Sequence, residues 1–349
     1  MDLLYFAFAL AFLILMHELG HFLAAKALGI EIEEFGIGFP PRVARLFEWR
    51  GTVFTLNLLP FGGFVRPKGD GSLTEPDALA QAPPGKRALV ILAGPAMNLF
   101  LGVLAYLILF VGAGKPVSES VLVWYVEPQS PAQAAGLQPG DLIIAAEGQP
   151  VHEATTLQRV IRAHLGEPVR LTVRRGDATL EVTVVPRVEP PPGQGAMGVR
   201  IVEYGWEPVP VAEGVRLAFQ AAYEHSVALF RLPWQMLQAY LVPSAPPPPG
   251  EVMGFRGMYT SLRLAAQIDR AAPTSVPAYT LTLLAALSLS LGVLNLLPIP
   301  ALDGARLVLA LSEGLFRRRL PWRVEVTLML VGFVVLLALM VVINVREWL

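Results

Sequence analysis

Apolar residues in this chain concentrate in four long stretches, each long enough to cross a bilayer, which takes about 20 residues. They run from Leu3 to about Leu28, from Ala88 to Gly114, from about Tyr279 to Leu302, and from Val326 to Val345. The first is uncharged as far as Met16, and the second and third carry no charge until Asp303. A cleaved signal peptide is a poor reading of the first stretch. It begins with Asp2 rather than a basic residue, and no small-x-small cleavage site follows.

Between the first two spans, Gly51 to Leu59 is rich in β-branched and aromatic residues, with Pro60 and Gly62-Gly63 behind it, and reads as a strand. Ile32 to Phe39 is a candidate partner, ended by Pro40-Pro41. Beyond the second span the pattern becomes that of an α+β domain. Strands are expected at Val121–Val126, Leu142–Ala146, Val169–Arg174 and Leu180–Val185, with a helix at Thr155–His164. Gly176-Asp177 marks a hairpin. From Pro190 a Pro-rich linker follows. Then Val215, Phe219, Tyr223, Val227, Phe230, Trp234 and Leu237 recur at helical spacing, with an interruption expected near Pro233. Glu213, Arg216, Glu224 and Arg231 suit that helix to a membrane surface better than to its interior. Pro246–Pro249 reads as a stiff spacer.

The expected order is therefore helix 1 (1–28), a β region (29–87), helix 2 (88–114), an α+β domain (115–190), a linker with a surface helix (191–278), helix 3 (279–312), a basic loop (313–325), and helix 4 with the C-terminus (326–349). Basic residues set the expected sidedness. Arg42, Arg45, Arg50, Arg66, Lys68, Lys86 and Arg87 precede the second span, and Arg317, Arg318, Arg319 and Arg323 precede the fourth. Both segments are assigned to the cytoplasm, which leaves 115–278 on the other side of a cell membrane.

Composition agrees. Of 349 residues, 54% are hydrophobic and only 16% charged, well below the share typical of soluble domains. A net charge of −1 gives no reason to expect nucleic acid as a partner. Cysteine is absent, which removes disulfides, thiolate nucleophiles and thiolate metal sites.

The chemistry sits where polarity is most costly. His17-Glu18-Leu19-Gly20-His21 lies inside the first span, and residues four apart share a helix face, so both imidazoles can point at one ion. Ionisable groups at membrane depth cost about 2.5–3.5 kcal/mol each on insertion scales, and a bound cation compensates them. Glu18 stands beside the first ligand as a candidate general base. Two histidines leave a catalytic zinc site one protein ligand short. Asp303, after Pro298 and Pro300 at the inner end of the third span, is the expected third. Both spans run outside to inside, and Glu18 falls roughly 22 Å below the start of its apolar run at 1.5 Å per residue, so the three groups can meet at one level. Asn295 and Asn98 are lone amides in apolar helices, suited either to a substrate backbone or to helix–helix bonding.

These segments resemble the bacterial site-2 proteases, intramembrane zinc metalloproteases similar to the regulator-of-sigma-E protease. The resemblance covers most of the chain. It rests on His17–His21, on Asn295-Leu-Leu-Pro-Ile-Pro-Ala-Leu-Asp303-Gly304, on Phe35-Gly-Ile-Gly-Phe-Pro40 and on Gly94-Pro-Ala-Met-Asn98. Ala305 replaces a second glycine common in the family, and Gly254-Phe-Arg-Gly257 matches a further family segment only loosely. Residues 115–190 resemble a PDZ domain through Val121–Val126 and the Gly136-to-Asp141 turn.

The resemblance implies a polytopic α-helical membrane protein with four transmembrane helices, a cytoplasmic-side membrane-associated β-hairpin and one extracytoplasmic PDZ domain. It implies Zn2+ held by His17, His21 and Asp303, with Glu18 catalytic. Single-span membrane proteins, such as anti-sigma factors or signal-peptide remnants, would be the substrates. Asn295, Asn98, Phe54 and Leu56 are expected to contact substrate, the last two through an open strand edge. A peptide is expected in a PDZ groove beside Val121, Leu122 and Val123, unless the domain serves as a size filter. A metal-binding membrane scaffold without turnover, and a metal transporter, are the other readings of the same residues.

Overall fold

The structure is a computed structural model that describes residues 2–69, 76–191, 193–241, 253–271 and 274–347. It divides into two units, 1–105 with 220–259 and 284–349, and 106–219 with 260–283.

The first unit opens with α1 (Asp2–Ala27), a span with no charged residue between Asp2 and His17. A hairpin follows, β1 (Ile32–Trp49) and β2 (Thr52–Pro67). Both strands are longer than their sequence signals: β1 runs through Pro40-Pro41 instead of ending there, and β2 continues past Pro60. Each bends back on itself, so that Ile32–Ile37 lies between Val53–Leu56 and Gly63–Pro67, while Arg42–Trp49 covers the other side of Thr52–Asn57. The segment 53–56 is thus paired along both sides, and the open edge expected for Phe54 and Leu56 does not exist. Phe54 instead packs in an aromatic cluster with Phe22, Phe35 and Phe47. Among the described residues, Gly63–Pro67 is paired along one side only, and Gly63 lies beside Leu15 of α1. Glu34, buried in this sheet, accepts from Thr55 and pairs with Arg42 and Arg66 at 2.8 Å. Burial alone would raise its pKa, but those three partners hold it below the usual carboxylate range.

A short helix α2 (Ala78–Gln81), N-capped by Asp77, leads into the second span, α3 (Pro84–Gly112). This span starts earlier than its apolar run because Lys86 and Arg87 lie in its first turns.

The second unit is built on an antiparallel sheet in the order β7-β6-β4-β3-β8. Its elements are β3 (Lys115–Val126), α4 (Pro131–Ala134), β4 (Leu142–Ala146), β5 (Gln149–Pro150), α5 (Ala154–Ala163), β6 (Val169–Arg175), β7 (Ala178–Val184) and β8 (Val199–Glu207). Val121, Val123, Ile143, Leu157, Leu171 and Val173 form its core. Asp141 fixes the turn before β4, accepting from Gln138 N at 2.8 Å and from Arg175 at 2.6 and 2.7 Å. The domain extends past 190, since β8 pairs with β3 from Val126↔Val199 to Lys115↔Glu207. This moves the expected groove. Val121, Leu122 and Val123 are fully buried in a strand paired on both sides, so no peptide can add there. The groove lies between β8 and α5, lined by Leu157, Ile161, Val199 and Ile201, and has a volume of about 520 Å³.

The helix α6 (Val211–Leu241) continues through Pro233 without a break, and it exposes Phe219, Tyr223, Phe230 and Trp234. Pro246–Pro249 lies outside the described residues. Gly254–Gly257 forms the start of α7 (Phe255–Ala271). The third span, α8 (Ala278–Leu296), is shorter than its apolar run: the chain leaves the helix before Pro298 and Pro300, as residues preceding proline tend to do. Asp303 therefore belongs to a separate helix, α9 (Asp303–Phe316), which it begins. The fourth span is α10 (Trp322–Arg346). Beyond its end, Glu347 accepts from the N–H groups of Gly254, Arg256 and Gly257, satisfying the open end of α7.

Candidate active site

The site lies wholly within the first unit and starts from helix geometry. His17 and His21 occur four residues apart on α1, and their rings meet edge to face with centroids 4.7 Å apart. Their Nε2 atoms are 3.1 Å apart, and Asp303 Oδ2 lies 3.0 Å from the first and 3.1 Å from the second. Three donors holding one zinc at tetrahedral angles and ordinary bond lengths would stand about 3.3 Å apart, so this trio fits that ion closely. It is the single such group among the described residues. His152 and His164 belong to the second unit, where their Nδ1 atoms lie beside the Glu119 and Val160 carbonyls.

Close packing against α3 sets the ring positions. A Cβ at Gly20 would strike the Ala93 carbonyl and Met97, so the small residue lets α1 approach α3 backbone to backbone. A Cβ at Gly94 would fall on the His21 ring itself. With the ring in that slot, His21 Nδ1–H donates to the Val90 carbonyl at 2.8 Å, which leaves Nε2 its lone pair for a metal. Asn98, fully buried, places its amide 3.0 Å from His17 Nδ1. Ser288 Oγ–H donates to the Asn98 carbonyl at 2.8 Å.

The trio opens on a cavity of about 680 Å³, lined also by Glu18, Gly63, Phe64, Val65 and Asn295. A Cβ at Gly63 would stand 3.9 Å from Glu18 Cγ, which brings the candidate base against the 63–67 strand segment. The Asn295 side-chain N–H donates to Leu291 O at 2.9 Å. Phe54 and Leu56 do not line this cavity. Arg87, Arg306 and Glu325 do, and Arg87 is anchored to Glu313 at 2.8 Å. Val90 and the 63–67 edge are the contributors that sequence reasoning missed. Gly62-Gly63 was the available signal for the second, because a glycine pair permits close backbone approach. No side-chain pattern could announce a backbone carbonyl.

A buried pair of imidazoles and one carboxylate, with a further carboxylate beside them in a cavity among membrane-length helices, define a membrane metallopeptidase. The model of peptidase family M50 matches residues 5–339, and the chain belongs to that family. A Nostoc sp. protein is 32% identical over 97% of this chain and 93% of its own length. One from Clostridium perfringens is 30% identical over 99% and 98%. Both carry the name "putative zinc metalloprotease". The metalloprotease MmpA of Caulobacter vibrioides is 28% identical over 91% and 87%. This chain is a zinc metalloprotease with four helices suited to crossing a membrane.

Proposed function

We propose that this metalloprotease hydrolyses peptide bonds within the bilayer, in single-span membrane proteins, using His17, His21 and Asp303 to hold zinc and Glu18 as general base. The observation that carries the reading is the convergence of those three donor atoms within 3.1 Å, with Asp303 at least 282 residues from either histidine. Zinc, when held there, supplies a Lewis acid that brings the pKa of water down to about 7. Glu18 takes the proton of the attacking water and passes it to the leaving amine. Its position on the cavity wall beside Gly63 supports that role. Asn295 lines the cavity wall, which supports its role in meeting the substrate carbonyl.

A transmembrane helix hides its carbonyls in its own hydrogen bonds, so the scissile segment must be extended. The free edge Gly63–Pro67 supports that step, because it can pair with an extended chain directly beside Glu18. This takes the place of the role first given to 51–59. The charged residues Arg87, Arg306 and Glu325 in the cavity lining support entry of water from the cytoplasmic side, in keeping with the Lys and Arg distribution. The sheet of the second unit, with its groove between β8 and α5, supports a PDZ-type role outside the cytoplasm, as a peptide receptor or a size filter.

The test is Glu18→Gln in the full-length protein, with a reconstituted single-span substrate. The expected result is retained zinc with cleavage reduced at least 10²-fold, within the range general acid–base catalysis contributes. Unchanged cleavage would overturn the role of Glu18. Zinc-dependent metal flux without new peptide termini would favour a transporter.

A further inference from the structure

Both rings of the histidine pair turn Nδ1 toward α3, but they meet different partners there. His21 Nδ1 meets a carbonyl, which only accepts, so the proton on that ring is fixed at Nδ1. His17 Nδ1 meets the Asn98 amide, which can face it in either of two ways. With the amide nitrogen toward the ring, Nδ1 accepts, the ring proton moves to Nε2, and Nε2 cannot ligate. In that orientation Oδ1 is also buried without a partner. With the amide turned over, Nδ1–H donates to Oδ1 and Nε2 keeps a lone pair directed at the other two donors. The two orientations have the same shape, so the neighbours that enclose Asn98 accommodate both.

We propose that Asn98 is the positioning residue for His17: its Oδ1 accepts the His17 Nδ1–H in the zinc-loaded protein and thereby selects the one tautomer that can bind metal. This rests on the reading of His17 as a zinc ligand. It gives α3 a defined task, since Val90 and Asn98, eight residues apart on that helix, set the proton positions of both rings. It also assigns Asn98 to the metal centre rather than to substrate. Partners that orient ligating histidines this way change metal affinity by about 10–100-fold when removed.

The experiment measures zinc affinity of the purified full-length protein by competition with a chelator, and the visible absorption of the cobalt-substituted form. Asn98→Asp replaces the amide by a group of the same shape that as a carboxylate only accepts. It is expected to hold zinc within about threefold of wild type and to keep the wild-type cobalt spectrum. Asn98→Leu removes the acceptor and is expected to weaken zinc about 10–100-fold. An Asp variant that loses tenfold or more would overturn the proposal, because the amide nitrogen would then be the working partner. Wild-type affinity in the Leu variant would overturn it as well. The Asp result decides the matter even if the Leu variant fails to fold. Asp303→Ala separates the two readings. If that variant keeps full zinc affinity, the ligand assignment itself fails; if it loses zinc while Asn98→Leu does not, only the role of Asn98 fails.

Discussion

Replacing Gly94 by alanine sets two effects on the same helix against each other. In the interior of α3 (Pro84–Gly112), alanine is favoured over glycine by about 1 kcal/mol on propensity. The new methyl group, however, would overlap Nε2 and Cε1 of His21 and stand 2.8 Å from Cδ2. Ordinary contacts at such atoms begin near 3.5 Å, so the ring must move by about 1 Å. Overpacking of this kind costs about 1–3 kcal/mol, which leaves a net loss of fold stability of about 2 kcal/mol at most. Metal binding tolerates far less. Ligand distances must hold within about 0.2 Å, so the same movement removes His21 from the zinc site. The expected outcome is a protein that folds and melts within several degrees of wild type but holds less than a tenth of its zinc and does not cleave a single-span substrate. Gly85→Ala is the control: it lies on the same helix with open space around its Cβ, and it should leave zinc and cleavage intact. Full zinc content and wild-type cleavage in Gly94→Ala would refute the claim that α3 presses His21 into position.

Glu34 predicts a pH dependence for the hairpin. Its carboxyl is held below the unfolded value, so it contributes stability above about pH 4.3 that is lost as pH falls through its lower folded pKa. Melting curves of wild type should converge on those of Glu34→Gln as pH drops from 6 to 3; a gap that stays constant would refute the assignment. Arg87 is buried against Glu313 at 2.8 Å, and Arg319 remains as a more distant partner of that carboxylate at 3.8 Å, so Arg87→Ala should destabilise by about 1–3 kcal/mol, whereas Arg87→Met with Glu313→Leu should recover most of the loss. Equal melting temperatures for the single and double variants would show that the pair is not coupled.

The four spans and the histidine pair were legible in the sequence because their signals are local: a run of apolar residues, and a spacing of four on one helix face. The six-stranded domain was legible wherever alternation met a strong turn, as at Gly176-Asp177. What escaped depended on partners distant in the chain. β8 was hidden because Val199–Glu207 contains Arg200, Glu203 and Gly205, and only pairing with β3 makes a strand of it. Pro40-Pro41 and Pro60 signal breaks, yet β1 and β2 run through them because the hairpin bends there and pairs on either side. The free edge could not be told from the paired one, since 53–56 has the stronger strand composition and Gly62-Gly63 the weaker. Pro233 likewise signals an end to α6 that the structure does not make.

The position of Asp303 shows how such local rules combine into a site. Had α8 continued to Leu302, the carboxylate would have ridden on a helix whose face is dictated by packing along its length. The break at Leu297–Leu302 frees it from that phase and places it at the start of α9, where a carboxylate is favoured by the helix dipole. The break is itself packed: Ala301 adopts a positive φ of 79°, and its N–H meets the Met329 sulfur at 3.3 Å. A Cβ at Gly332 on α10 would strike Pro300, so that span lies directly against the turn. The three candidate donors are therefore held from two sides by elements that contribute none of them. α3 sets the imidazoles through Val90, Gly94 and Asn98, and α10 supports the turn that aims the carboxylate. Conservative changes at Gly94 or Gly332 should for that reason disturb zinc binding more than the loss of any single aromatic contact in the hairpin.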